Sequence, residues 1–176
     1  MIDQEQPEDG PGIEALLDLT FGADRQQRTA YRFRDGVAPI AGLGFVVRGG
    51  TGLLGSVRFW PILLAHDGGS RRAVLLGPLA VAPELRGNGT GTALLRHAVA
   101  AADAAGEGPI FLIGDVAYYG RAGFRPVLPA RCRMPGPVEP ERVLVWDADG
   151  ASLTLPSEFA LLPSRDGAAA TSRRAG

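Results

Sequence analysis

Leu76-Gly77-Pro78-Leu79-Ala80-Val81 runs through Ala82-Pro83-Glu84-Leu85 into Arg86-Gly87-Asn88-Gly89-Thr90-Gly91. An apolar strand, a Pro-bounded turn, a glycine-rich loop and an amphipathic helix follow one another there. Glycines at alternate positions let backbone N–H groups converge where a side chain would obstruct. The helix start adds partial positive charge, so the loop suits a phosphate or pyrophosphate. Two familiar phosphate loops do not fit. A P-loop needs Gly-Lys-Ser/Thr at the helix start, and all 18 basic residues of this chain are Arg. A dinucleotide fingerprint needs a third glycine where counting from Gly87 puts Thr92. Its acid would lie about 20 residues on, where Glu107 precedes the next strand instead of ending it.

The elements that must hold this loop can be read from periodicity. Asp9 or Gly10 caps a helix carrying Ile13, Leu16, Leu17 and Phe21. Residues 24–34 read as a second, polar and Arg-rich helix ended by Asp35-Gly36. Leu43–Arg48 and Leu53–Leu64, joined through Gly49-Gly50-Thr51-Gly52, read as a hairpin, and Arg72–Val81 follows as a third meander strand. Thr90–Ala105 places Leu94, Leu95, Ala98, Val99 and Ala102 on one helix face. Ile110–Ile113 is a short apolar strand, and Asp115–Arg121 a brief helix stopped by Gly123. Arg142–Trp146 and Ser152–Leu155 are expected to close a hairpin around Asp147-Ala148-Asp149-Gly150. The order α-α-β-β-β-α-β-α-β-β predicts one α+β domain with a mixed sheet over residues 1–163, and a mobile tail over 164–176.

At 176 residues and 45% hydrophobic content, with a mean hydropathy of +0.06, the chain can bury one core and is neither disordered nor a membrane bundle. Eighteen basic against 19 acidic residues give no electrostatic footprint for nucleic acid. One cysteine, Cys132, excludes an intrachain disulfide. With two histidines, His66 and His97, a protein-held metal is not expected. The absence of Lys excludes a Schiff-base mechanism. The longest apolar run, Phe59–Ala65, is too short to cross a bilayer. The opening residues do not form a signal peptide, so a cytoplasmic location is expected.

Arg86-Gly87-Asn88-Gly89-Thr90-Gly91 matches R/Q-x-x-G-x-G/A, the pyrophosphate loop of the GNAT superfamily of N-acetyltransferases. LGPLAV resembles that family's fourth strand, and Tyr119-Gly120-Arg121-Ala122-Gly123-Phe124 its Y-x-x-x-G-F segment. Pro7-Glu8-Asp9 looks like the passage out of the family's first strand. The pairing of LGPLAV with Gly114-Asp115 and Tyr118-Tyr119 is especially similar to the YhbS-like branch. The resemblance covers roughly residues 2–147 and implies a mostly antiparallel central sheet with flanking helices. It implies acetyl-CoA as donor, without metal, its pyrophosphate on the backbone of Arg86 to Gly91 with Thr92 adding a hydroxyl. Pantetheine would lie along Leu79, Ala80 and Val81, whose backbone would also supply the oxyanion donor. The implied reaction is direct attack of a primary amine, from a small molecule or a peptide, on the thioester. Family members often dimerise, which makes a homodimer an expectation to carry. A second reading is a non-catalytic acyl-CoA-binding sensor or partner module, because LGPLAV lacks the acid that many relatives carry.

Tyr119 takes the family's tyrosine position, where a phenol would protonate the departing thiolate; its other reading is packing, which Tyr118 shares. Asp115 reads first as an N-cap and second as a base. Glu84 reads as solvent-facing, which leaves the base unassigned. Arg58 and Trp60 share a strand face, either lining an acceptor pocket with Arg58 holding an acidic group, or as an edge residue and a core residue. His97 reads as a helix surface residue, His66 takes no role, and Cys132 is a small loop residue unless its Arg neighbours activate it.

Overall fold

The computed structural model describes residues 1–165 apart from 51, 149, 151 and 152. Its strands are β1 (Ile2–Gln4), β2 (Phe45–Arg48), β3 (Leu53–His66), β4 (Gly69–Val81), β5 (Ile110–Ile113), β6 (Arg125–Pro126), β7 (Arg131–Arg133), β8 (Val143–Trp146) and β9 (Glu158–Pro163). The helices are α1 (Gly10–Phe21), α2 (Thr90–Ala104) and α3 (Val116–Tyr119). The order across the sheet is β1-β2-β3-β4-β5-β8-β6, with β9 on β3 and β7 on β9. Only β4–β5 and β7–β9 are parallel, so the sheet is mixed and mostly antiparallel in a single domain.

Alternation along β3 and β4 divides apolar side chains between the two faces. Phe59, Val74 and Leu76 pack against Leu94, Leu95, Ala98, Val99 and Ala102 of α2. Trp60, Ile62, Leu64 and Leu75 form a second core with Phe33, Phe111, Phe159 and Leu161. Ile13, Leu16 and Leu17 of α1 cover Val46, Ala80 and Ala82. The apolar stripe read for the long helix is thus the buried one.

Two expectations are corrected. Residues 24–34 are not one helix but two 3₁₀ stretches, Ala23–Gln27 and Thr29–Phe33, separated by an extended Arg28 (φ −70°, ψ 145°). Side-chain bonds outweigh a helical ladder there: Arg25 is drawn onto Asp18 and Glu14 of α1, and the Thr29 hydroxyl donates 2.5 Å to the Pro137 carbonyl. The expected closing hairpin also fails. Val143–Trp146 has β5 on one edge and β6 on the other, so no edge remains for a hairpin partner. Leu153–Leu155 is not a strand, and Asp149 and Ser152 lie outside the described residues. The last strand forms at 158–163, where Phe159 and Leu161 reach the second core beside β3. Of the expected tail, 166–176 lie outside the described residues. The three-residue β1 is too short for periodicity to reveal.

Candidate active site between β4 and β5

β4 and β5 are paired only at Val74–Ile110 and Leu75–Phe111, and beyond that they diverge. The cause is visible on β4. Between the pairs Val57–Leu79 and Phe59–Leu76, β3 spends one residue and β4 spends two, Gly77 and Pro78. This bulge bends β4 away from its neighbour. Gly77 sits at φ +127°, where a side chain would be strained. Its carbonyl is held by the Trp60 indole N–H at 2.7 Å, which anchors the bulge from the second core.

The ladder decides which amides face the gap. Ala82 N–H donates to Leu54 O on β3. In an antiparallel pair the bonded residues alternate, so Ala80 is also turned toward β3, while Leu79 and Val81 face the side that β5 has left. A cavity of about 1170 Å³ opens there. Its lining includes Leu76–Leu79 of β4, Ile113–Asp115, Tyr118 and Tyr119, Thr29, Tyr31 and Arg34 of the 3₁₀ segment, and 137–140 of the loop before β8. That loop is strapped to the 3₁₀ wall by the Thr29 bond and by Arg32 Nη1 donating to Pro135 O at 2.7 Å.

The glycine loop lies at the end of β4 and turns into α2. Arg86 and Asn88 N–H donate back to Pro83 and Leu85 carbonyls. Gly87 and Gly89 sit at φ +83° and +87° with open space where a Cβ would be. Asn88 Oδ1 accepts from Thr90 N–H at 3.1 Å and from Thr90 Oγ1 at 2.7 Å, closing a turn over Gly89, the N-cap of α2. The first-turn amides of α2 have no intrahelical partner. A Cβ at Gly91 would run into the Tyr118 hydroxyl, so this glycine is what allows Tyr118 to close over the helix start. The Tyr118 phenol is raised by burial, opposed by its hydrogen bond with Thr92. Of the Arg86–Gly91 amides expected to meet a pyrophosphate, those of Arg86, Asn88 and Thr90 already donate within the loop, so an anion there would meet those of Gly87, Gly89 and Gly91.

Tyr119 packs edge-on to Tyr118 (4.9 Å between centroids) and lies 6.1 Å from Phe124. Its ring fills the space in which a Cβ at Gly114 would fall. Burial pushes its phenol up to about 12, so it is neutral at ordinary pH. Asp115 is an N-cap: its Oδ1 accepts from Ala117 N–H at 2.7 Å. Arg58 is neither an edge residue nor free to hold a substrate, because it is almost buried in a two-pronged pair with Glu5 (2.6 and 2.9 Å). Trp60 is core. His97 lies on the helix surface edge-on to Phe45, and His66 accepts from Gly68 N–H in its turn. Glu84 is exposed. Cys132 lies in β7, and burial pushes its thiol up to about 12, the opposite of activation. Among the described residues, no group of three or more His, Cys, Asp or Glu side chains could hold a metal ion, and no helix is long and apolar enough to cross a membrane.

The residues that periodicity missed are Thr29, Tyr31 and Arg34, the wall facing the bulge. The available signal was the interleaving of aromatics with arginines in Arg28–Arg34, which a polar helix does not require.

Residues 41–126 match the family described as Acetyltransferase (GNAT) domain. The chain is 33% identical over 140 residues to the uncharacterized N-acetyltransferase YhbS of Escherichia coli K12, covering 77% of this chain and 81% of the relative. The chain belongs to the GNAT acetyltransferase family. The crystal structure of Escherichia coli YhbS in complex with CoA superposes with a TM-score of 0.72 at 30% identity, over 91% of this chain and 88% of that one. A GNAT family acetyltransferase from Brucella melitensis in complex with acetyl-CoA gives 0.60 at 25% identity, over 84% and 96%. Membership makes this an acyltransferase fold whose structural neighbours bind CoA or acetyl-CoA, and it accounts for the loop, the bulged strand and the tyrosine turn together.

Proposed function

We propose that this GNAT protein transfers an acetyl group from acetyl-CoA to a primary amine by direct attack in a ternary complex. The observation that carries the reading is the bulge at Gly77-Pro78: it parts β4 from β5, turns the Leu79 and Val81 amides into the gap and leads β4 into the glycine loop. Bound acetyl-CoA supplies an electrophilic acetyl thioester and a thiolate leaving group. The cradle of Gly87, Gly89 and the first turn of α2 binds the pyrophosphate. The Leu79 and Val81 N–H groups orient the arm and donate to the oxygen on which charge develops. Tyr119 holds its proton at Oη and offers it to the departing sulfur. The walls from 29–34 and 137–140 orient the amine, small-molecule or peptide, and exclude water.

A second reading, a CoA-binding sensor without turnover, is favoured by one observation. LGPLAV carries no acid, and Asp115 spends Oδ1 on its helix cap, so no carboxylate stands on β4 to take the proton of an incoming ammonium. A thermal-shift titration with acetyl-CoA, beside NADH and ATP, followed by an amine panel assayed for free thiol, tests both readings. Binding with turnover supports transfer. Binding without turnover of any amine supports the sensor, and no acetyl-CoA response overturns both.

A further inference from the structure

Arg34 is a mostly buried cation in the cleft wall, and among the described residues it forms no ion pair. Its guanidinium lies 4.3 Å from the centroid of Tyr31 and 5.5 Å from that of Trp60. Its Nη2 faces the bulge, 3.7 Å from where a Cβ on Gly77 would stand. Nε and Nη1 are sealed from solvent, and neither finds an acceptor among the described residues. The two aromatic rings stabilise the charge, and Tyr31 and, at longer range, Glu14 also favour it. Burial pulls Arg34 down to about 10, opposed by Tyr31, so it remains cationic at neutral pH.

Neighbouring Arg25 shows what a satisfied guanidinium looks like in the same segment. It donates to Glu14 at 2.6 Å, to Asp18 at 2.8 Å and to the Tyr31 hydroxyl at 2.7 Å. Glu14 and Asp18 are thereby committed to Arg25, Glu5 to Arg58, and Asp115 to its helix. Arg28 and Arg142 line the same cavity, against Asp115 and Glu139. Arg34 lines the cavity and turns Nη2 toward the bulge, so Nη2 is the donor an anion in the cleft can meet, through a charge-assisted hydrogen bond.

We propose that Arg34 recognises a carboxylate on the acceptor, so that the substrate is a small amine that also carries a carboxylate, as a free amino acid does. This rests on the acetyl-transfer reading above. The test uses free amino acids, their carboxamides and the matching decarboxylated amines. Each is titrated by thermal shift with and without acetyl-CoA, and assayed for thiol release, on the wild-type protein and on Arg34→Met and Arg34→Lys. The expected result is an amino acid favoured over its amide on the order of 10- to 100-fold in apparent affinity and in kcat/KM. The preference disappears in Arg34→Met and is partly kept in Arg34→Lys, while all three proteins respond equally to acetyl-CoA, which also shows that they are folded. Equal behaviour of acids and amides, a preference that survives Arg34→Met, or loss of acetyl-CoA binding in that variant would each overturn the assignment. Should the wild-type protein fail to bind acetyl-CoA, the transfer reading falls, and the titration without acetyl-CoA still decides whether Arg34 binds carboxylates.

Discussion

Tyr118 and Tyr119 are adjacent in sequence and touch edge to face, yet their hydroxyls have different settings. Tyr118 reaches back to Thr92 and the start of α2. Tyr119 is the more deeply buried, with its phenol pushed up to about 12. A folded-state value above the ordinary one means that the proton is still held well above pH 10. Tyr119→Phe should therefore lower kcat by about 10²- to 10⁴-fold while acetyl-CoA affinity stays within a few-fold. In the wild-type protein the basic limb of the pH–rate profile should show no loss of the proton donor up to about pH 10. A kcat unchanged by Tyr119→Phe would return the residue to a packing role. At the loop, Gly89→Glu forces a side chain into φ +87°, a strain of about 1–2 kcal/mol, and sets a carboxylate against the pyrophosphate. The variant should melt a few degrees lower and lose its acetyl-CoA thermal shift, whereas an intact shift would contradict the cradle.

Asp9 ties the N-terminal elements together. Buried at the start of α1, it accepts from Gln6 N–H at 2.7 Å and from both Nη atoms of Arg48 on β2 at 2.6 and 2.8 Å. The hydrogen bonds from Arg48, aided by the Gln6 amide, hold its carboxyl below the usual carboxylate range against the opposing effect of burial. A depressed folded-state value contributes stability above the unfolded value near 3.9 that is lost as pH falls through the folded one. The urea midpoint should thus fall more steeply from pH 7 to pH 3 in the wild type than in Asp9→Asn. Arg48 is 42% exposed, so solvent screens the pair and the loss of stability in Asp9→Asn at pH 7 should be small. The same region shows where sequence was informative. Strands with an apolar run, the α2 stripe and the glycine loop were legible because periodicity and glycine placement are local. Residues 24–34 were not, since their path is set by bonds from Arg25 to α1 and from Thr29 to a loop 108 residues away. The fate of β9 depended on which sheet edge was free, which no local pattern records. Of the candidate site, the loop and Tyr119 were readable from motif spacing. Arg34 was hidden inside a charge-rich stretch that looks solvated.

At the scale of the whole molecule, three apolar clusters lean on a single bent sheet, and β3, 14 residues long, contributes to all of them. Phe159 is fully buried on β9, against Phe111 at 6.0 Å, and seals the second core beneath the bulge anchor Trp60. Phe159→Ala should cost about 3–5 kcal/mol in urea unfolding and reduce acetyl-CoA affinity through a loosened cleft. A loss of stability with unaltered affinity would show that the second core does not support the site. Ligand linkage gives the complementary reading. Acetyl-CoA at 100 times its Kd should add about 2.7 kcal/mol, roughly 5 to 10 °C in Tm for a domain of this size.

The chain has two tryptophans, and they stand behind different parts of the cleft wall. Trp60 is buried with its indole bonded to the bulge and Arg34 5.5 Å from its ring, whereas the Trp146 ring stands 3.2 Å from where a Cβ on Gly123 would lie, at the end of the tyrosine turn. Intrinsic fluorescence is therefore a two-channel reporter. With Trp146→Phe, the emission that remains follows the Arg34 wall. With Trp60→Phe, it follows the turn that carries Tyr119, in a protein whose bulge has lost its indole anchor. Stopped-flow traces of the two single-tryptophan proteins would time the filling of one half of the cleft against the other, with no label attached.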